Sequence, residues 1–474
     1  MAQAPGVANV EERRTSNGRR GAGGSIRRDV DRSTRLAIAG VLLATVLQAI
    51  DGSIVNVAVP HIQRTLQASL AQVSWTVTAY VLASVIAMPL AASIAARTGL
   101  RPYFIGSVIL FTVASAACGL AQGPNQLIAF RVVQGFGGGA LLPLSQGILM
   151  SLFPRERRGT AVALVGVAAV LGPLFGPPLG GLLTDHFGWP SIFFVNLPLG
   201  LVSIALLAGN LRAPKPSPPK GPLDLAGGAL LAGSLVCLQT ACAHHPLLFL
   251  PALVLGVLFV LHERRTPFPA VDLGVLRHGA LRATLASAPL YGVSLYGSVF
   301  LAPLLLEREL NLSAGRTGLI MAAGGAMSGV VILCARPLLT RVRARTLCGV
   351  GASLFAVSML AMAFIAERGA GEVVLPQVLR GLGTGLLYVG MNGFAFESVA
   401  GEDLAVSASL FYLLRQLGGS LGVALVASAL DRFGREGTVA AFAALAVIAP
   451  LSLWPMAAAA PDQEAQPAQR RTTM

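Results

Sequence analysis

The feature that most constrains this chain is a rhythm. Apolar runs of about 20 residues alternate with short charged clusters from residue 35 to residue 456. Wound as a helix at about 1.5 Å per residue, a run of that length crosses a bilayer core of about 30 Å. In a soluble protein every such run would have to be buried all round, and the composition leaves too little polar surface for that. Of 474 residues 54% are hydrophobic and only 12% charged, about half the charge of an ordinary soluble domain, and the mean hydropathy is +0.70. Gly (54) and Pro (29) are plentiful. Membrane helices tolerate both, and Gly lets helix backbones approach closely. An all-α polytopic membrane protein is expected.

The runs resolve into about 14 transmembrane helices: 35–59, 73–94, 102–121, 125–150, 159–183, 190–209, 224–243, 246–262, 281–305, 315–338, 345–366, 372–397, 404–429 and 438–456. The eighth is the weakest. Arg and Lys crowd alternate loops: Arg13 to Arg32; Arg97 and Arg101; Arg155, Arg157 and Arg158; Arg212, Lys215 and Lys220; Arg264, Arg265, Arg277 and Arg282; Arg341, Arg343 and Arg345. The loops between hold none, or single Arg residues balanced by Glu. By the positive-inside rule both termini are cytoplasmic. The loop 398–403 carries Glu402 and Asp403 where basic residues are expected, but acidic residues count little in that rule.

This distribution accounts for the net charge of +14 and the pI of about 10.7 without a nucleic-acid partner. The five Cys (118, 237, 242, 334, 348) lie in apolar runs and are odd in number, which argues against a disulfide framework. The six His sit in or beside loops without ligand spacing, and His244-His245 reads as a solvated turn, so no metal site is expected. There is no Walker motif and no nucleophile–base pattern. Neither ATP drive, nor a cofactor, nor an enzyme is indicated.

The first six and last six spans look like copies. Gly135-Phe-Gly-Gly-Gly-Ala-Leu echoes Gly381-Leu-Gly-Thr-Gly-Leu-Leu, the Arg97 loop echoes the Arg343 loop, and Gly176 and Gly180 echo Gly418 and Gly422. The offsets are 246 (135 to 381), 246 (97 to 343) and 242 (176 to 418). Parallel halves are one of the known transporter plans. The expected order is a disordered tail 1–33, a six-helix half 34–209, a Pro-rich cytoplasmic linker 210–223, an inserted helix pair 224–262, a second linker 263–280, a six-helix half 281–456 and a disordered tail 457–474. The polar N-terminal stretch does not read as a signal peptide, so the first span should stay in the mature protein.

Ionisable side chains at membrane depth are functional candidates by default. Asp51 lies inside the first span with no basic residue within two turns. Desolvation there favours the protonated acid, as a proton-coupling group requires. Arg131, in the fourth span, shares a helical face with Gln134, Gly135 and Gly138; it cannot lose its proton but can bias a nearby carboxylate. Arg415 lies deep in the thirteenth span. Glu307 and Glu397, at span ends, are the next proton-carrier candidates. The fifth span carries Gly172, Pro173, Gly176, Pro177, Gly180 and Gly181, a small-residue stripe on a bent helix suited to a seal or pivot between halves.

Together these stretches resemble the fourteen-helix drug:proton antiporter family of the major facilitator superfamily. Ile50 to Pro60 is similar to that family's first-helix motif, Arg131 to Gly139 to its fourth-helix motif, Gly172 to Gly181 to the antiporter motif of its fifth helix, and Leu413 to Gly422 to its thirteenth helix. The resemblance spans roughly 35–455 and implies the major facilitator fold, with Arg131 in proton coupling; Asp51 and Arg415 are the other coupling candidates, by their depth in the spans. One departure stands out. The loop after the second helix reads Ala92-Ser-Ile-Ala-Ala96-Arg97-Thr98-Gly99-Leu100-Arg101, with Ala96 in the place of the family's Asp. Arg97, Gly99 and Arg101 remain, but the usual Asp-centred latch cannot form.

The expected function is proton-coupled export of small amphipathic or cationic drug-like compounds across a bacterial inner membrane by alternating access. The partners would be the substrate, protons, the bilayer and, in a Gram-negative cell, a periplasmic adaptor. Candidate cavity residues are Asn56, Trp75, Tyr80, Gln134, Gln146, Tyr291, Tyr296, Asn392 and Gln416. An exporter of a lipid or of one metabolite or antibiotic on the same scaffold is the alternative. A membrane sensor would need a sizeable soluble domain, and a membrane enzyme a cluster of His, Asp or Ser at one interface.

Overall fold

The computed structural model describes residues 31–153, 158–212, 221, 223–243, 245–267, 269, 273–368, 371–396, 399 and 403–458. Most of the expected tails, the linker stretch 213–220, Arg155, Arg157, His244, Glu397 and Glu402 lie outside them. Among the described residues every regular element is a helix. The first half contains α1 (Arg32–Thr65), α2 (Leu70–Thr98), α3 (Leu100–Gly119), α4 (Pro124–Gly138), α5 (Leu141–Leu152), α6 (Arg158–Phe187), α7 (Ser191–Phe194) and α8 (Asn196–Asn210). A pair follows, α9 (Leu225–Ala243) and α10 (Phe249–Arg265). The second half contains α11 (Gly279–Leu304), α12 (Ala314–Leu333), α13 (Ala335–Arg341), α14 (Ala344–Arg368), α15 (Val374–Phe396), α16 (Asp403–Leu451) and α17 (Trp454–Ala458).

Local chemistry sets the helix ends. Asp31 caps α1 by accepting from the Thr34 amide at 2.8 Å, and Ser69 with Gln72 forms a reciprocal capping box on α2. Gly99, at φ 96, takes a left-handed turn between α2 and α3. Twelve stretches among the described residues are long and apolar enough to cross a membrane. The expected fourteen differs from these twelve at two places. Gln377 and Arg380 lower the hydropathy of the 23-residue α15. Val406–Ala458 runs as one stretch, although Gly434 (φ 55, ψ −126) folds it back on itself and sets Gly437 against the Ala429 carbonyl.

Call the face where α1 begins the near face and the one where it ends the far face. The buried core is undivided at one of them only. Far-face ends of both halves share a single cluster, from Ile54, Val59 and Ile62 of α1 to Phe300 and Leu301 of α11 and Phe442 of α16. At the near face the clusters divide between the halves. One belongs to the first half, around Val41, Phe104 and Leu149; two belong to the second, around Leu281, Cys348 and Phe411 and around Val331, Leu347 and Val389. The halves are therefore packed together at the far face and parted at the near face. The pair α9–α10 lies outside both. Leu231 and Leu235 of α9 pack on Leu82 and Val85 of α2 and Leu413 of α16. Only 11% of the apolar window of α10 is buried in the protein, against 78% for α2. Its exposed Leu250, Leu253 and Val257 are what a lipid-facing helix presents.

Candidate functional site

Midway along α1, the carboxylate of Asp51 is fully buried and accepts three hydrogen bonds. Arg131 Nη1 donates to Oδ2 at 2.7 Å, while Gln134 Nε2 and Asn196 Nδ2 each donate to Oδ1 at 2.9 Å. Arg131 Nη1 also donates to Gln134 Oε1 at 2.7 Å, and its Nε to the Thr76 carbonyl at 3.0 Å. The guanidinium stacks 4.2 Å from the Tyr80 ring centre. Asp51, Gln134 and Asn196 are 0% exposed and Arg131 1%. No basic residue lies within two turns of Asp51 in sequence; tertiary packing sets Arg131, 80 residues along the chain, directly against it. Glycine is what admits α4 this far. A Cβ on Gly135 would lie 2.5 Å from the Tyr80 carbonyl oxygen of α2, and one on Gly137 2.7 Å from the Phe111 amide of α3. A buried pair of this kind contributes little net stability when intact, yet removing one partner costs about 3–5 kcal/mol.

In front of Arg131 lies a cavity of about 310 Å³ between the halves. Of the expected residues, Asn56, Tyr80, Arg131, Tyr291, Tyr296, Arg415 and Gln416 line it. Four do not. Gln134 is turned to Asp51 behind the wall. Trp75 packs against the cluster shared by α2, α9 and α16. Asn392 donates to the Tyr388 carbonyl a turn back, at 2.7 Å, and Gln146 sits on α5 away from the lining. Arg380, Tyr388 and Tyr412 line the cavity without having been singled out. For Arg380 the signal was present: the 246-residue offset of the repeat carries Gln134 onto it (134 to 380).

The fifth-span motif forms α6, and its two faces do different things. Gly172, Gly176 and Gly180 pack on α1 inside the first half, where Cβ atoms would meet the Ala49 carbonyl oxygen at 2.3 Å, Ser53 Oγ at 2.0 Å and the Ile54 carbonyl oxygen at 2.7 Å. Pro173, Pro177 and Gly181 face α12 of the second half. A Cβ on Gly181 would lie 2.2 Å from the Ala314 carbonyl oxygen, on Gly318 2.2 Å from that of Pro177, and on Gly325 2.1 Å from that of Pro173. At the far-face end of this seam, Asp185 of α6 accepts from the Ala314 and Gly315 amides, at 3.1 and 2.8 Å. It caps a helix of the opposite half. A second contact joins the halves nearby: His61 Nδ1 of α1 lies 3.2 Å from Glu307 Oε2, in the π-turn Leu305–Glu309 after α11, with Arg64 at 4.0 Å. Asp185 and His61 gave no signal in one sequence, because their partners lie in the other half.

At the near face Arg97 donates to the Ser93 carbonyl at 3.1 Å and to that of Gly221, just ahead of α9. Arg101 donates to the Ala208 carbonyl at 2.6 Å. With Ala96 in place of an acid, the two arginines engage backbone carbonyls. The base of the α9–α10 pair is pinned by Asp224, whose Oδ1 lies 2.8 Å from His262 Nε2 and accepts from the Gly227 amide at 2.8 Å. Burial works to raise the Asp224 carboxyl, but that amide and His262 hold it below the ordinary range.

The sequence model of the Major Facilitator Superfamily matches residues 41–423 and 284–472. The multidrug export protein EmrB of Haemophilus influenzae is 31% identical over 401 residues, covering 81% of this chain and 78% of that protein. A multidrug resistance protein B homolog of Mycobacterium tuberculosis is 33% identical over 411 residues, 82% of this chain and 75% of that one. Among solved structures, an auto-inhibited peptide transporter of the POT family aligns with a TM-score of 0.68, covering 92% of this chain and 99% of that one. At 16% identity that likeness is one of fold.

Proposed function

The chain belongs to the Major Facilitator Superfamily, and from that premise we propose proton-coupled export of small amphipathic compounds by alternating access. It is a transporter and not an enzyme, and its similarity to multidrug export proteins makes it a drug efflux transporter. The finer reading sets it in a bacterial inner membrane with fourteen crossings, both termini and the near face cytoplasmic, in the inward-open state. In a Gram-negative cell an adaptor would receive the substrate at the far face.

The observation that carries this reading is the buried Asp51–Arg131 pair beside a cavity shared by both halves. Arg131 Nη1 lies 2.7 Å from Asp51 Oδ2, so the pair is held by a charge-assisted hydrogen bond. A proton arriving on Asp51 Oδ2 from the far side removes its attraction for Arg131, and the guanidinium is freed toward the cavity. When the near face opens, Arg131 returns to Asp51 and the proton leaves. Arg131 keeps its own proton throughout, so Asp51 is the carrier and Arg131 sets when it releases. The test is export into proteoliposomes under an imposed pH gradient, with substrate-induced proton release measured on purified protein. Asp51→Asn should abolish both while keeping binding of uncharged substrate. Proton release equal to that of the unmodified protein would sink the assignment.

A further inference from the structure

The charge lining the cavity is lopsided in a way the coupling pair leaves unused. Arg131, Arg380 and Arg415 line it, and no Asp or Glu does. Arg131 is balanced by Asp51 behind it. Arg380 and Arg415, both in the second half, make no ion pair among the described residues. Arg380 is 5% exposed; its Nε donates to Gln377 Oε1 at 2.7 Å. The guanidinium of Arg415 lies 5.0 Å from the Tyr412 ring centre and 5.6 Å from that of Tyr388, and its Nε is buried without a hydrogen-bond partner. A guanidinium cannot shed its proton to escape burial, and an uncompensated buried charge is unfavourable.

The internal repeat sharpens the point. The 246-residue offset carries Arg131 onto Gln377 (131 to 377) and Gln134 onto Arg380 (134 to 380). The Arg–Gln hydrogen bond survives with its ends exchanged, at 2.7 Å in each half. The same offset carries Asp51 onto Gly297 (51 to 297). The second half keeps a guanidinium and lacks its counterion.

We propose that Arg380 and Arg415, framed by Tyr291, Tyr296, Tyr388 and Tyr412, form a subsite for the anionic head group of an amphipathic substrate. The preferred cargo is a carboxylate on an aromatic body. The two guanidinium groups supply the charge-assisted donors that a carboxylate needs, and the tyrosines offer ring faces to stack on. The cavity volume of about 310 Å³ is at the small end of small-molecule sites. This narrows the cargo of the exporter proposed above and rests on that reading.

The test uses three probes with one ring system: 2-naphthoate, its neutral amide 2-naphthamide, and the cation 2-naphthylmethylammonium. Binding to the full chain in nanodiscs is measured by calorimetry. The carboxylate should bind at least about tenfold more tightly than the amide, and Arg380→Gln and Arg415→Gln should each erase most of that preference. Arg415→Lys, which keeps the charge, should retain part of it and guards against misfolding of the glutamine variants. Equal binding of all three probes, or tighter binding of the cation, overturns the subsite. So does tight binding of chloride or inorganic phosphate with no advantage for naphthoate. In proteoliposomes, gradient-driven movement of the probes without an anion preference removes the subsite and leaves the exporter standing. An anion preference in binding with no gradient-driven movement of any probe keeps the subsite and counts against export.

Discussion

Asp185→Ala removes a helix cap that one half lends to the other. The carboxylate accepts from the Ala314 and Gly315 amides at 3.1 and 2.8 Å. A side-chain cap of this type contributes about 1 kcal/mol, within about 0.5–2 kcal/mol. Asp185 is itself exposed, so the lower half of that range applies. The helix keeps a local cap, because Ser313 accepts from the Arg316 amide at 3.3 Å, and α12 should not unravel. The Asp185 bonds, however, exist only while α6 and α12 meet at the far face. Their loss therefore falls on the far-face-closed state alone, and about 1 kcal/mol shifts the balance of the two states about fivefold. The assay is modification of a cysteine introduced at Ser53, on the cavity wall, by an impermeant thiol reagent added from the far side. The rate should rise about fivefold in the Asp185→Ala background, with the melting temperature in detergent nearly unchanged. An unaltered rate, or a fall in melting temperature equal to that of Ser313→Ala, would refute the idea that this cap works between the halves.

Asp51→Asn should destabilise the protein by about 3–5 kcal/mol, because Arg131 stays charged and buried without its counterion. Arg131→Gln should cost less, since Asp51 can neutralise itself by taking a proton; chemical unfolding of the two single variants and the double variant checks the asymmetry. Gly325→Val should open the seam, as its Cβ would fall 2.1 Å from the Pro173 carbonyl oxygen, raising far-side labelling. Gly176→Leu should instead lower the stability of the first half, where Ser53 occupies the space, as unfolding in detergent would register. Glu307→Gln should weaken the contact with His61 and speed far-side labelling a few-fold, by about 1 kcal/mol or less. For topology, reporter fusions at 245 should read outside and those at 215 and 474 inside; an outside reading at 474 would mean a miscounted span.

Hydropathy alone made the helices legible, because each must satisfy its backbone internally and shows itself as one local run. Asp51 and Arg131, as charges within those runs, were legible for the same reason. What stayed hidden is what depends on two distant stretches. The sequence neighbours of Asp51 gave no sign of Arg131, Gln134 or Asn196, which reach it from α4 and α8. The stripe on α6 read as one surface, and only packing separates Gly176, facing α1, from Gly181, facing α12. Asn392 and Gln146 are polar at membrane depth, but helix rotation turns them from the cavity, and hydropathy does not encode rotation. Arg380 could have been found from the offset that relates the halves, had it been applied residue by residue.

The seam between α6 and α12 is made of glycine faces laid on proline and alanine carbonyls. Glycine and proline have few or no side-chain torsions to freeze. An interface of long side chains loses about 0.5–1.5 kcal/mol of rotamer freedom for each one immobilised, and must find the same rotamers at every closure. Here closing orders little beyond the two rigid helices, and the surfaces meet in one register set by the backbone itself. In the alternating-access cycle proposed above, these glycine faces would have no side-chain rotamers of their own to recover at each closure.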